Sequence, residues 1–139
     1  MAVADMSWEA AMAQLTAAQR DFVAGDAAGI KRLFSHRADV TVLGGFGGFE
    51  HGWAEVGPRL DWAASHFAGG SYEAETLSAT VGSDVACLVS IERWSYATPQ
   101  KRQETQLALR VTQVFRREEG AWRLVHRHAD PLLQKQEPS

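Results

Sequence analysis

Of the 139 residues only Cys87 is a cysteine, so no intrachain disulfide can form. Its place in the apolar run from Val85 to Val89 reads as a buried, inert thiol rather than a nucleophile. Basic charge is not in excess either. A formal net charge of -3 supplies no footprint for a phosphate backbone, and no nucleic-acid partner is expected. Long apolar runs are missing, and the start MAVADMSWEA has neither a basic nor an apolar leader region. A soluble, cytoplasmic protein with no membrane partner is therefore expected. Glycine is plentiful from Gly44 to Gly52, yet the stretch has no G-K-[ST] ending and no G-x-G-x-x-G. It offers no phosphate cradle, and no cofactor is expected.

What is present is ordinary for a globular chain: 45% hydrophobic and 22% charged residues. The length predicts one domain over 1–139, with 134–139 as a flexible tail. From Ser7 onward, Trp8, Met12, Leu15 and Phe22 recur at helical spacing up to about Gly25, with Ser7 as N-cap and Glu9 in the first turn. Asp26 caps a short second helix carrying Ile30, Leu33 and Phe34 on one face. Val40 to Leu43 reads as a strand, followed by a glycine-rich loop. A third helix is read from Val56, Leu60, Ala63 and Phe67, stopping at Gly69-Gly70. If it begins as early as Trp53, Pro58 costs it a hydrogen bond.

Beyond Gly70 the period changes to two, which predicts strands over 72–80, 85–96, 106–117 and 122–129 in an antiparallel meander. Ala97 to Glu104 is expected to be a longer polar loop. Helices first and strands afterwards make the chain α+β. At Glu118-Glu119-Gly120, a three-residue loop needs positive φ only at Gly120, whereas a two-residue turn also demands it of Glu119. The three-residue loop pairs Arg116 with Trp122, Val114 with Leu124, Thr112 with His126 and Arg110 with His128. One face of this hairpin is then polar and aromatic. The other carries Leu109, Val111, Phe115 and Val125, with Gln113 and Arg127 as polar members.

The ending RVTQVFRREEGAWRLVHRHADPL, Arg110 to Leu132, resembles the C-terminal hairpin of SnoaL-like domains in the nuclear-transport-factor-2-like, ketosteroid-isomerase-like superfamily. The paired helices before Asp39, the DVTVLGGFGG strand and loop, and the third helix before the meander extend the resemblance over most of the chain. It implies a cone-shaped fold, with three N-terminal helices packed in a curved, mostly antiparallel sheet. It further implies a homodimer and an open cavity for a small-molecule ligand or substrate. Ketosteroid-isomerase-like relatives move a proton with a carboxylate near the first strand, a position that Asp39 roughly fits. They polarise a carbonyl with a tyrosine of the first helix, which this chain lacks before Tyr72.

The candidate catalytic residues are accordingly His126 as general base, Asp39 as alternative proton carrier, and Arg110 as partner for an anion or carbonyl. Candidate ligand contacts are Thr112, Trp122, His128, Trp53, Phe49 and Glu92. The alternative is that the histidine face is a subunit interface, with Arg110 paired to an acid such as Glu92. His126, His128 and Asp130 spell H-x-H-x-D, but this spacing is common by chance and no further ligand accompanies it, so no metal is assigned. The functional expectation is an isomerase, cyclase or dehydratase acting on a small apolar substrate. A non-catalytic ligand-binding or dimerisation module of the same fold is the alternative.

Overall fold

Helix α1 spans Trp8–Val23 and begins where Ser7 accepts a hydrogen bond from the Ala10 N–H at 3.0 Å. The computed structural model describes residues 5–138; the first four residues of the start segment and Ser139 of the expected tail lie outside them. Leu15, Ala18 and Phe22 of α1 are buried, and Trp8 and Met12 pack against the same core. Gly25 then turns the chain at φ 97°, where a side chain would also stand 3.0 Å from the Phe67 carbonyl oxygen. Asp26 Oδ1 accepts from the Ala28 N–H at 2.9 Å and opens α2, Ala28–Leu33, which buries Ile30 and Leu33. Helix α3 runs Trp53–Ala64 with Pro58 inside it, so the bond that residue 58 would donate to the Ala54 carbonyl is missing.

The described residues form six strands, in chain order β1 Thr41–Leu43, β2 Glu50–His51, β3 Gly70–Val81, β4 Val85–Thr98, β5 Lys101–Glu118 and β6 Ala121–Pro131, with α3 between β2 and β3. They form one sheet in the order β2-β1-β6-β5-β4-β3. Only β1 and β6 run parallel; the other neighbours are antiparallel. This is the expected α+β cone, with the helices packed in the curved sheet. The long polar loop expected at Ala97 to Glu104 is not there. Thr98 pairs with Lys101, leaving Pro99 and Gln100 as a tight turn in which the missing proline N–H costs no ladder bond.

The hairpin register also differs from expectation. Glu119 (φ 53°) and Gly120 (φ 78°) both take positive φ, so the connection is a two-residue turn with Glu118 opposite Ala121 and Arg117 opposite Trp122. Such a turn matches the right-handed twist of long strands, and this outweighs a penalty of about 1–2 kcal/mol for holding Glu119 left-handed. Further along, Phe115 pairs with Leu124 but Val114 pairs with His126, which leaves Val125 as a one-residue bulge. The bulge reverses the alternation of β6. Trp122 and Leu124 point inward before it, while Ala129 is buried and Arg127 turns inward beyond it.

Turn and bulge together displace the expected pairing by two residues, so parity survives while partners change. Thr112 faces His128, and Arg110 faces Asp130. Arg110, Thr112, His126 and His128 do share a face, but it is the outer face of the sheet. Trp122 lies on the inner one. Leu109, Val111 and Phe115 face the core, 6%, 2% and 0% exposed, and supply no apolar patch for a dimer.

Candidate functional site: the cavity inside the cone

The inner sheet face and the helices enclose a cavity of about 240 Å³. Leu60 and Phe67, from α3 and the segment after it, face Trp94, Leu107 and Leu109 across it, and Phe46 from the glycine-rich loop forms part of the rim. The hydrophobic residues that line it are there because the alternation of β4 and β5 sends them to the side that also packs the helices. Three charged side chains reach this lining: Arg127, Glu50 and Arg59. Glu50 Oε1 and Arg59 Nε stand 3.8 Å apart, and the Arg59 guanidinium lies 3.9 Å over the Trp62 ring.

Behind the wall, Arg127 is the centre of a polar cluster in an otherwise apolar interior. Its Nη2 donates to Glu92 Oε1 at 2.7 Å, and its Nη1 donates to Glu92 Oε2 at 2.9 Å and to Gln113 Oε1 at 3.1 Å. Trp94 Nε1 donates to Glu92 Oε1 at 3.1 Å. Burial works to lower the Arg127 pKa, but the charge and hydrogen bonds of Glu92 outweigh it and the net direction is upward. Burial and the same Glu92 charge push the Tyr72 hydroxyl up, so it remains a neutral phenol beside the pair. Gln113 Nε2 is buried without a partner, a cost the cluster carries.

Most residues singled out from sequence lie elsewhere. His126, half-buried on the outer face, shares a 2.7 Å hydrogen bond between its Nδ1 and Thr41 Oγ1. Burial and the neighbouring His128 hold its pKa below the ordinary value. Arg110 is exposed and donates to Asp130 Oδ1 at 2.9 Å, not to Glu92. His128 stands 3.9 Å from Asp130. Asp39 accepts two bonds from Arg116, at 2.7 and 3.1 Å, and the first effect of that contact is to lower its pKa. Trp53 stacks on His36 at 3.9 Å on the α2–α3 side, and Phe49 is exposed. Trp122 is buried against Trp8, with the Arg117 guanidinium over its ring. Of the nine candidates, only Glu92 belongs to the polar cluster behind the cavity.

Arg127 is not among the candidates read from the sequence, yet it shares with Gln113 the face of Leu109, Val111 and Phe115, and a polar residue embedded in an apolar face is the informative signal. His126 and Arg110 lie on the outer face of the sheet, and Asp39, which fits the carboxylate position that the resemblance implies, is held by Arg116 and does not line the cavity.

A family profile described as the SnoaL-like domain matches residues 9–133, and the chain belongs to that family. Solved structures agree on the fold. A nuclear transport factor 2-like superfamily protein from Salmonella enterica serovar Typhimurium is 15% identical with a TM-score of 0.76, over 94% of this chain and 96% of that one. A proposed dehydratase of the same superfamily from Streptomyces avermitilis is 20% identical with a TM-score of 0.75, over 89% and 92%. A ketosteroid isomerase-like protein from Erwinia carotovora atroseptica is 18% identical with a TM-score of 0.72, over 91% and 94%. No curated protein matches the chain. No helix among the described residues is long and apolar enough to cross a membrane.

Proposed function

We propose that this protein binds a small apolar molecule in the cone. The observation that carries the reading is the cavity itself: about 240 Å³, walled by aromatic and aliphatic side chains, with Arg127, Glu50 and Arg59 converging on it. An apolar cavity of roughly 150 Å³ already takes up benzene, so this one has room for a bicyclic body. Tryptophan fluorescence tests it, because Trp94 lines the wall. Tetralin should give a saturable change, and Ala63→Phe, which fills the cavity, should abolish it. A non-saturating response that is unaltered by Ala63→Phe overturns the reading.

Acid–base catalysis in the same cavity is a second reading, favoured by Glu50 as the one carboxylate of its lining among the described residues. Glu50 would carry a proton between carbon atoms, or from carbon to a departing oxygen. Arg127 would hold the oxygen on which charge develops, as an isomerase, cyclase or dehydratase requires. His126, Asp39 and Arg110 do not line the cavity.

We assign the outer face to homodimerisation. There Val89, Ile91 and Thr112 lie beside exposed Leu77, bordered by Arg110, His128 and Asp130. Light scattering should give twice the chain mass, and Ile91→Glu should halve it; a native monomer at all concentrations refutes the assignment.

A further inference from the structure

Arg127 carries five N–H groups, and the protein uses three of them. Glu92 takes the end of the guanidinium, and Gln113 takes the remaining hydrogen of Nη1. The side edge, Nε–H with the outer Nη2–H, has no acceptor among the described residues. Buried nitrogens and oxygens without partners are, among those residues, Gln113 Nε2 and Trp122 Nε1. Arg127 Nε is not one of them, and the Arg127 side chain keeps 12% of its surface exposed. The open space that Arg127 lines is the cavity.

Charge decides what that edge would take. Glu92 already balances Arg127, and Glu50 stands opposite Arg59, so a carboxylate ligand would bring an uncompensated charge into a poorly solvated site. A neutral oxygen accepts the two N–H groups without that penalty. The Trp94 indole N–H does not compete for it, being committed to Glu92. We infer that Arg127 is the specificity-determining polar contact of the cavity. Its free edge donates to an uncharged acceptor oxygen, such as a ketone or lactone carbonyl, while the apolar wall holds the hydrocarbon body. This rests on the cavity-binding reading above and adds the chemistry of the ligand's polar end.

Calorimetric or fluorescence titration of the whole chain near neutral pH tests it with three probes of similar size: 1-tetralone, tetralin and 1-naphthoate. Tetralone is the better hydrated of the first two, so hydrophobic transfer alone favours tetralin. A hydrogen bond from charged Arg127 should reverse that order and make tetralone the tighter ligand by on the order of tenfold. Naphthoate should bind more weakly than tetralone. The double variant Glu92→Gln/Arg127→Met removes both charges together and leaves Trp94 an acceptor; it should restore the transfer order, with tetralin the tighter ligand. If that variant does not fold, Arg127→Lys, which keeps a charge against Glu92 but has no side edge, should do the same. Equal affinities in the native chain overturn the role of Arg127 and leave the cavity reading standing. Failure of both neutral probes to bind overturns the cavity reading and this inference with it. Tighter naphthoate overturns the neutral acceptor, and tetralone preference persisting in the variants overturns Arg127 as its source.

Discussion

Two arginine–carboxylate pairs occupy the same sheet on opposite faces. Inside, Arg127 and Glu92 meet at 2.7 Å with side chains 12% and 0% exposed; outside, Arg110 and Asp130 meet at 2.9 Å with 61% and 43% exposure. The contact distances hardly differ, but the surroundings do. The inner pair is buried and depends on its own bonds and those of Trp94 and Gln113, so each partner holds the other's charge in place. The outer pair keeps solvent on both groups, and breaking it returns each charge to water. Ion pairs of similar length therefore differ in kind here: the inner one is buried and doubly bonded beside the cavity, and the outer one is a single exposed bond at the border of the outer face.

The comparison is broken most forcefully by Glu92→Ala, which strands Arg127 in the interior. Urea unfolding should show a loss of about 3–5 kcal/mol. The matched outer change, Asp130→Ala, should cost less than about 1 kcal/mol in the same assay. Comparable losses for the two would mean that Arg127 reaches water more freely than its burial implies.

The turn that sets which face is inner can be sharpened too. Glu119 sits at φ 53°, a region that residues with a Cβ enter at a cost, and Asn and Gly favour it. Glu119→Gly should therefore raise stability by about 0.5–1 kcal/mol, read as a higher urea midpoint at unchanged slope. Destabilisation would point to a contact of the Glu119 side chain that outweighs the strain.

The smallest expected effect is on the outer face and depends on pH. Burial and His128 hold the His126 pKa below its ordinary 6.5, so the unfolded chain takes up the proton before the folded one as pH falls. The stabilising contribution is present above about pH 6.5 and declines as pH falls through the lower folded-state value. Urea midpoints taken from about pH 7.5 to about pH 5.5 should fall less steeply in His126→Gln than in the native chain. Identical slopes would remove His126 from the acid response.

The helices and most strands were legible in the chain because their signals are local. Ser7 caps α1, Asp26 bonds the Ala28 N–H, and the period of two after Gly70 reports a sheet with one buried face. The inner pocket was only half legible. Gln113 and Arg127 were placed among apolar neighbours, but their value depends on Glu92, a residue 35 positions from Arg127 in sequence, arriving at hydrogen-bond distance. Glu50 belongs to the glycine-rich stretch from Gly44 to Gly52. Its place in the cavity lining comes from the short β1–β2 hairpin and the start of α3.

By itself, then, the sequence determined the order of elements, the α+β class and the resemblance to SnoaL-like domains, since period, caps and the long C-terminal hairpin are properties of neighbouring residues. Which hairpin face looks inward was decided only by tertiary structure. Strand twist favoured the two-residue turn despite Glu119, and the bulge at Val125 brought Arg127 round to Glu92 while leaving His126 outside. A single extra residue in one strand reverses every side chain beyond it, and whether the ladder inserts that residue depends on packing against β1, β5 and the helices rather than on the local residues alone.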